Sequence, residues 1–142
     1  MLDGLNGIYR SAHAYKDETD PDAAPKHVLR VHPLIRTIPA TGHKAVFANR
    51  AMTVGIEGLD KRESDAILNH IFDVYERSTD LQVRWHWTPG TSAIWDNRSS
   101  IHTVSNDYIP GSDRHGTRVS SLAEKPYFDP KSQSRRQALQ LD

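Results

Sequence analysis

The chain has 142 residues, large enough to bury a core, with 18 basic and 18 acidic side chains. That charge balance points to neither a nucleic-acid surface nor an anionic membrane as partner. Cysteine is absent. Disulfides, thiolate zinc sites and cysteine nucleophiles are thereby excluded, and any metal must be held by His, Asp or Glu. No apolar run approaches the roughly 18 residues of a membrane span. Met1-Leu2-Asp3-Gly4-Leu5 lacks the basic start and apolar stretch of a secretory signal, so a soluble, cytoplasmic chain is expected.

Residues 1 to 10 are predicted as a short helical turn. Ser11 to Lys26 is polar, carries Asp20-Pro21-Asp22 and Pro25, and reads as a loop. His32-Pro33 and Ile38-Pro39 bracket a short extended piece, because a residue before proline is pushed out of the helical region. Thr41-Gly42-His43 reads as a turn into a strand near Lys44 to Ala48. The clearest helix runs from about Lys61 to Arg77. Asp60 and Glu63 form a capping-box start, and Ile67, Ile71, Val74 and Tyr75 share one face beside Leu68 and Phe72.

After the helix the period changes to two. Leu81, Val83, Trp85 and Trp87 alternate with Gln82, Arg84 and His86, the pattern of a half-buried strand. Pro89-Gly90 makes a turn. Ser92 to Trp95, Ile101 to Ser105 and Arg118 to Leu122 are further strand candidates. The expected fold is mainly β with one inserted helix, an antiparallel sandwich or barrel. The polar tail from Pro130 onward is expected outside the core.

The stretch most able to carry chemistry runs from Trp95 to Arg118. His102 sits in a strand candidate, and imidazole is the commonest metal ligand among side chains. Arg114 follows twelve residues later and Arg118 four beyond that. On a strand that even spacing puts both guanidinium groups on one face, roughly 13 Å apart, where each fork suits an anion. Bland alternatives stand beside this. A lone histidine in a strand is more often a hydrogen-bonded structural residue. From position alone the arginines read more readily as solvated or paired with Asp107, Asp113 and Glu124. Trp95-Asp96-Asn97-Arg98 reads as architecture, with Trp95 filling the core and Asp96 or Asn97 shaping a turn.

Trp95-Asp96-Asn97-Arg98-Ser99-Ser100-Ile101-His102, followed by Asn106-Asp107-Tyr108, resembles the second half of the pattern of the TauD/TfdA (taurine dioxygenase) family of iron(II)- and 2-oxoglutarate-dependent dioxygenases. Upstream, His32-Pro33-Leu34-Ile35-Arg36-Thr37 with Thr41-Gly42 is similar to the family's H-P-x-x-R-T…T-G segment. Lys44 to Asn49, Leu59 to Leu68 and Leu81 to Trp85 match in order. Pro126-Tyr127-Phe128-Asp129-Pro130 is similar to a segment of fungal members. The likeness covers about residues 1 to 130, leaving 131 to 142 as the tail.

This resemblance implies the carboxy-terminal half of a double-stranded β-helix (jelly roll). It implies His102 as the distal iron ligand, Arg114 as the partner of the far carboxylate of 2-oxoglutarate, and Arg118 as the substrate's anion-binding arginine. The implied cofactors are Fe(2+) and 2-oxoglutarate as cosubstrate. The implied partners are molecular oxygen and a small anionic substrate, an alkyl sulfonate such as taurine first among them, with homo-oligomerisation left open. One residue is inserted between Pro110 and Arg114 relative to bacterial members, while the Arg-to-Arg spacing of four is kept. Near the family's substrate pocket, Ala51-Met52 replace a glycine and an aromatic residue.

The family's H-x-D or H-x-E iron motif is not found: none of the 8 histidines has Asp or Glu two positions later. The nearest approach is His70-Ile71-Phe72-Asp73, on the predicted helix surface. Residue 1 aligns beyond the H-x-D strand, which leaves two expectations, a truncated gene model or a short protein that lost catalysis. Three functions follow: the dioxygenase; a non-catalytic β-domain serving as small-anion binder or assembly partner; and a three-histidine metal site built from His86, His102 and His115.

Overall fold

The computed structural model describes residues 2–10, 28–105 and 115–141. The predicted loop from Ser11 to Lys26 lies outside them, as do Asn106-Asp107-Tyr108 and Arg114. The described part is β-rich with one long helix. Five strands, β1 (Asn6–Arg10), β2 (Leu29–Pro33), β3 (Ile35–Thr37), β4 (Lys44–Val46) and β5 (Thr53–Ile56), precede α1 (Lys61–Arg77), and a short α2 (Arg135–Ala138) lies near the end.

The strands form two antiparallel sheets, β2-β1-β5 and β3-β4. The helical turn expected over residues 1 to 10 is therefore corrected to a strand at its second half. Gly4, at φ 83°, and Gly7 weaken a helix there, and β1 gains a hydrogen-bonded neighbour on each side. Gly7 has a second role: a Cβ at that position would lie 2.8 Å from the Tyr9 hydroxyl oxygen, so only glycine lets the Tyr9 ring fold back along the strand. The Tyr9 hydroxyl then donates to the carbonyl of Phe47 and joins the two sheets.

Leu34 marks the passage from β2 to β3. It is fully enclosed, its N–H donates to the Leu5 carbonyl at 2.8 Å, and its carbonyl accepts from Phe47 N–H at 2.8 Å. Around it pack Ala48, Ile56, Leu68, Ile71 and Phe72, with Ile67 and Tyr75 at the margin. Helix α1 begins as its sequence dictates. Asp60 accepts from Glu63 N–H at 2.9 Å, and Glu63 returns the bond to Asp60 N–H at 3.0 Å. Buried Ser64 ties the helix to β5 by accepting from Ile56 N–H at 3.1 Å. Among the described residues no helix is long and apolar enough to cross a membrane.

Beyond α1 the structure departs from the expected strands. Thr79–Leu81 forms a 3-10 turn, and the stretches at Gln82–Trp87, Ser92–Trp95, Ile101–Ser105 and Arg118–Leu122 form no ladder among the described residues. Alternation fixes which side chains share a face, but a strand also needs a neighbour to receive its backbone bonds. Without one, both parities stay open to solvent: Val83 is 88% and Val119 93% exposed. The stretch from Pro130 onward is exposed or half-buried, yet it is tethered. Lys44 N–H donates to the Gln133 carbonyl at 2.8 Å, and Thr37 Oγ1 donates to Ser132 Oγ at 3.0 Å.

Candidate functional site

The local structure around His102 is set by Asp96. Its carboxylate accepts the N–H of Arg98 at 2.8 Å and holds the Arg98 guanidinium through both oxygens, at 2.9 and 2.8 Å. Its carbonyl accepts from the N–H groups of Ser99 and Ser100, closing the turn. The Arg98 side chain, followed by its backbone N–H, holds the Asp96 carboxyl down at about 2, below the usual carboxylate range. The turn-shaping role expected of Asp96 is thus present. Asn97 contributes as well, accepting from the Trp95 indole N–H at 3.0 Å.

Trp95 does not fill the core, which corrects the expectation for it. It is 41% exposed and lies against His102, with ring centroids 4.9 Å apart. The two rings share a cleft of about 490 Å³ whose other walls include Val83, Trp85, Ser92 and Ile94. His102 itself is exposed and sits on an unpaired extended stretch rather than in a ladder. Arg118 is exposed and lines neither this cleft nor the second one described below. Arg114 lies outside the described residues.

Glu124, one expected partner of the arginines, is engaged elsewhere. It accepts from Arg36 at 2.5 Å and from Arg98 at 3.3 Å. Its own backbone N–H and the Arg98 guanidinium hold its carboxyl below the usual range. Arg36 is buried, 3% exposed, and also stacks over the Phe47 ring at 5.1 Å. Nothing in the sequence announces the Arg36–Glu124 pair, because 88 residues separate its members.

A second cleft, of about 210 Å³, opens beside β1 and β2. Tyr9, His32, Phe47 and Met52 line it with Arg10 and Arg30. Tyr9 packs against Phe47 at 5.2 Å and against His32 at 5.7 Å. Burial pushes the Tyr9 hydroxyl's pKa well up. Burial also lowers the pKa of His32, helped by the positive charges of Lys125, Arg30 and Arg36. Met52 is the replacement residue noted near the family's substrate pocket. Sequence reasoning placed neither Tyr9 nor His32 in a cavity.

Among the described residues no group of three His, Asp or Glu side chains could hold a metal ion. His86, His102 and His115 therefore do not converge, and the three-histidine reading is set aside.

The profile of the family described as taurine catabolism dioxygenase TauD, TfdA matches residues 1–120. The chain belongs to the TauD/TfdA family. It is 41% identical over 134 residues to an alpha-ketoglutarate-dependent dioxygenase of Aspergillus oryzae (oryG), covering 94% of this chain and 38% of that protein. It is 37% identical over 131 residues to another of Penicillium expansum (cnsM), covering 88% and 36%. An alpha-ketoglutarate-dependent sulfonate dioxygenase of Saccharomyces cerevisiae is 38% identical over 102 residues, covering 72% and 25%. The chain thus spans between a quarter and two fifths of the length of these TauD/TfdA relatives.

Proposed function

We propose that the chain forms part of an iron(II)- and 2-oxoglutarate-dependent dioxygenase domain of the double-stranded β-helix type. In this reading His102 is one iron ligand, Arg114 grips the distal carboxylate of 2-oxoglutarate, and Arg118 binds a small anionic substrate such as an alkyl sulfonate. The observation that carries the proposal is the Asp96-centred turn, which leads directly to an imidazole exposed at a cleft. Relatives named as alpha-ketoglutarate-dependent dioxygenases, one of them a sulfonate dioxygenase, support it.

The described residues do not fit a complete iron centre. His102 offers one imidazole, whereas iron of this type takes two histidines and a carboxylate on one face. No chemical step is therefore assigned to these residues; in this reading His102 presents one ligand and Arg118 one anion-binding fork.

A second reading is a non-catalytic β-domain that binds small anions or serves in assembly. The arginines Arg114 and Arg118, each able to hold a carboxylate, support it. Anaerobic calorimetry of the purified 142-residue chain with iron(II), then with 2-oxoglutarate, separates the two. One-to-one iron binding that His102→Ala abolishes is the result expected of the dioxygenase reading. Iron binding unaffected by His102→Ala overturns the assignment of His102. Iron-independent 2-oxoglutarate binding that Arg114→Met or Arg118→Met removes supports the second reading.

A further inference from the structure

Glu124 joins two guanidinium groups from distant parts of the chain through different oxygens. Arg36 of β3 donates Nη2 to Oε1 at 2.5 Å, and Arg98 donates Nη1 to Oε2 at 3.3 Å. Each arginine is fixed at its other side. Arg36 is buried against Phe47, in the short connection after β4. Arg98 is clamped by the Asp96 carboxylate, whose turn ends two residues before His102. A continuous charged chain thus runs Arg36–Glu124–Arg98–Asp96, from the β3-β4 hairpin to the metal-ligand candidate.

We propose that Glu124 is a positioning residue: through Arg36 and Arg98 it sets where the Asp96 turn, and with it the imidazole of His102, stands relative to the β3-β4 hairpin. The case rests on what else holds this region. Gln82–Trp87, Ile101–Ser105 and Arg118–Leu122 lack ladder bonds among the described residues, so backbone pairing does not register them there. Charge-assisted bonds are among the directional contacts here: the two-oxygen Asp96–Arg98 clamp fixes angle as well as distance, and Glu124 ties that clamp to Arg36. Glu124 lies six residues beyond Arg118, so the same carboxylate anchors the stretch that carries the substrate arginine. The functional weight of this role rests on His102 being the iron ligand proposed above.

The test reads ring position and requires no iron, so its failure is distinct from failure of the iron assignment. In the isotopically labelled full chain, cross-relaxation between the Trp95 indole and the His102 imidazole is measured by NMR with both resonances assigned. Glu124→Gln is expected to weaken those cross-peaks and shift both rings. Arg50→Gln, which removes the exposed pair between Arg50, in the connection before β5, and Glu76 of α1, is expected to leave them in place. Glu124→Gln leaves buried Arg36 unpaired, so two further variants guard against loss of the fold. Arg98→Lys keeps the charge but loses the fork, and is expected to move the rings in a folded chain. Arg36→Met combined with Glu124→Gln is expected to regain stability without regaining the wild-type ring resonances. The proposal is overturned if Arg98→Lys leaves the rings where they were, or if the double variant restores them together with the stability.

Discussion

The indole of Trp95 lies against the imidazole of His102, their centroids 4.9 Å apart and their planes inclined at 59°. The contact closes over the Asp96 turn, since both rings face the same cleft. Any ion held by that imidazole therefore sits within a few ångströms of an indole, and the protein carries its own optical reporter.

In a Trp85→Phe/Trp87→Phe background the remaining tryptophan emission comes from Trp95 alone. Iron(II) added anaerobically is expected to quench it to a saturating level, and His102→Ala is expected to remove most of the quenching. A single imidazole is a weak site, so the midpoint should lie far above that of a complete three-ligand centre. Equal quenching with and without the imidazole would take His102 out of the metal site.

What the sequence revealed depended on the range of the interaction. Helix α1 and its Asp60–Glu63 box were legible because capping and the 3.6-residue period are local. The short extended piece bracketed by His32-Pro33 and Ile38-Pro39, which is β3, was legible for the same reason, through the backbone restriction that proline imposes. The alternation from Leu81 to Trp87 was legible as a pattern but not as a strand. Pairing is a property of two segments, and the described residues supply only one of them. Arg36–Glu124 and Tyr9–Phe47 were invisible: the first pair meets only once the 115–141 stretch is in place, and the second only once the strands are. At the site, the role proposed for His102 came from the motif around it, while its contact with Trp95 is seen only in the structure.

Leu34 is the residue on which the two sheets and α1 converge, and its side chain is fully enclosed. Leu34→Ala keeps its backbone bonds to Leu5 and Phe47 but opens a cavity against Ile56, Leu68 and Phe72. A loss of about 3 kcal/mol of unfolding free energy is expected, within the range for leucine truncations at enclosed sites. Urea titration followed by far-ultraviolet circular dichroism measures it. An unchanged midpoint would show that this core does not carry the stability of the chain.

Acid is expected to act in two steps, because two groups are held below their ordinary pKa for opposite electrostatic reasons. His32 is lowered from 6.5, chiefly by burial and then by the positive charges of Lys125, Arg30 and Arg36. The unfolded chain therefore takes up that proton first, and stability falls as the pH drops below 6.5 toward the folded value. Asp96 is held at about 2, against 3.8 ordinarily, by the Arg98 fork and backbone N–H. Its contribution is complete above 3.8 and is lost as the pH falls through about 2. Melting temperatures recorded from neutral pH downward should decline along both limbs. His32→Asn is expected to flatten the upper limb and leave the lower one, and Asp96→Asn the reverse. A wild-type melting temperature that stays level from pH 7 to 5 would show that His32 is not held neutral beside Tyr9 and Phe47. Loss of both limbs in Asp96→Asn alone would show that the two groups titrate as one unit, contrary to their separate places at the Asp96 turn and the Tyr9–Phe47 cleft.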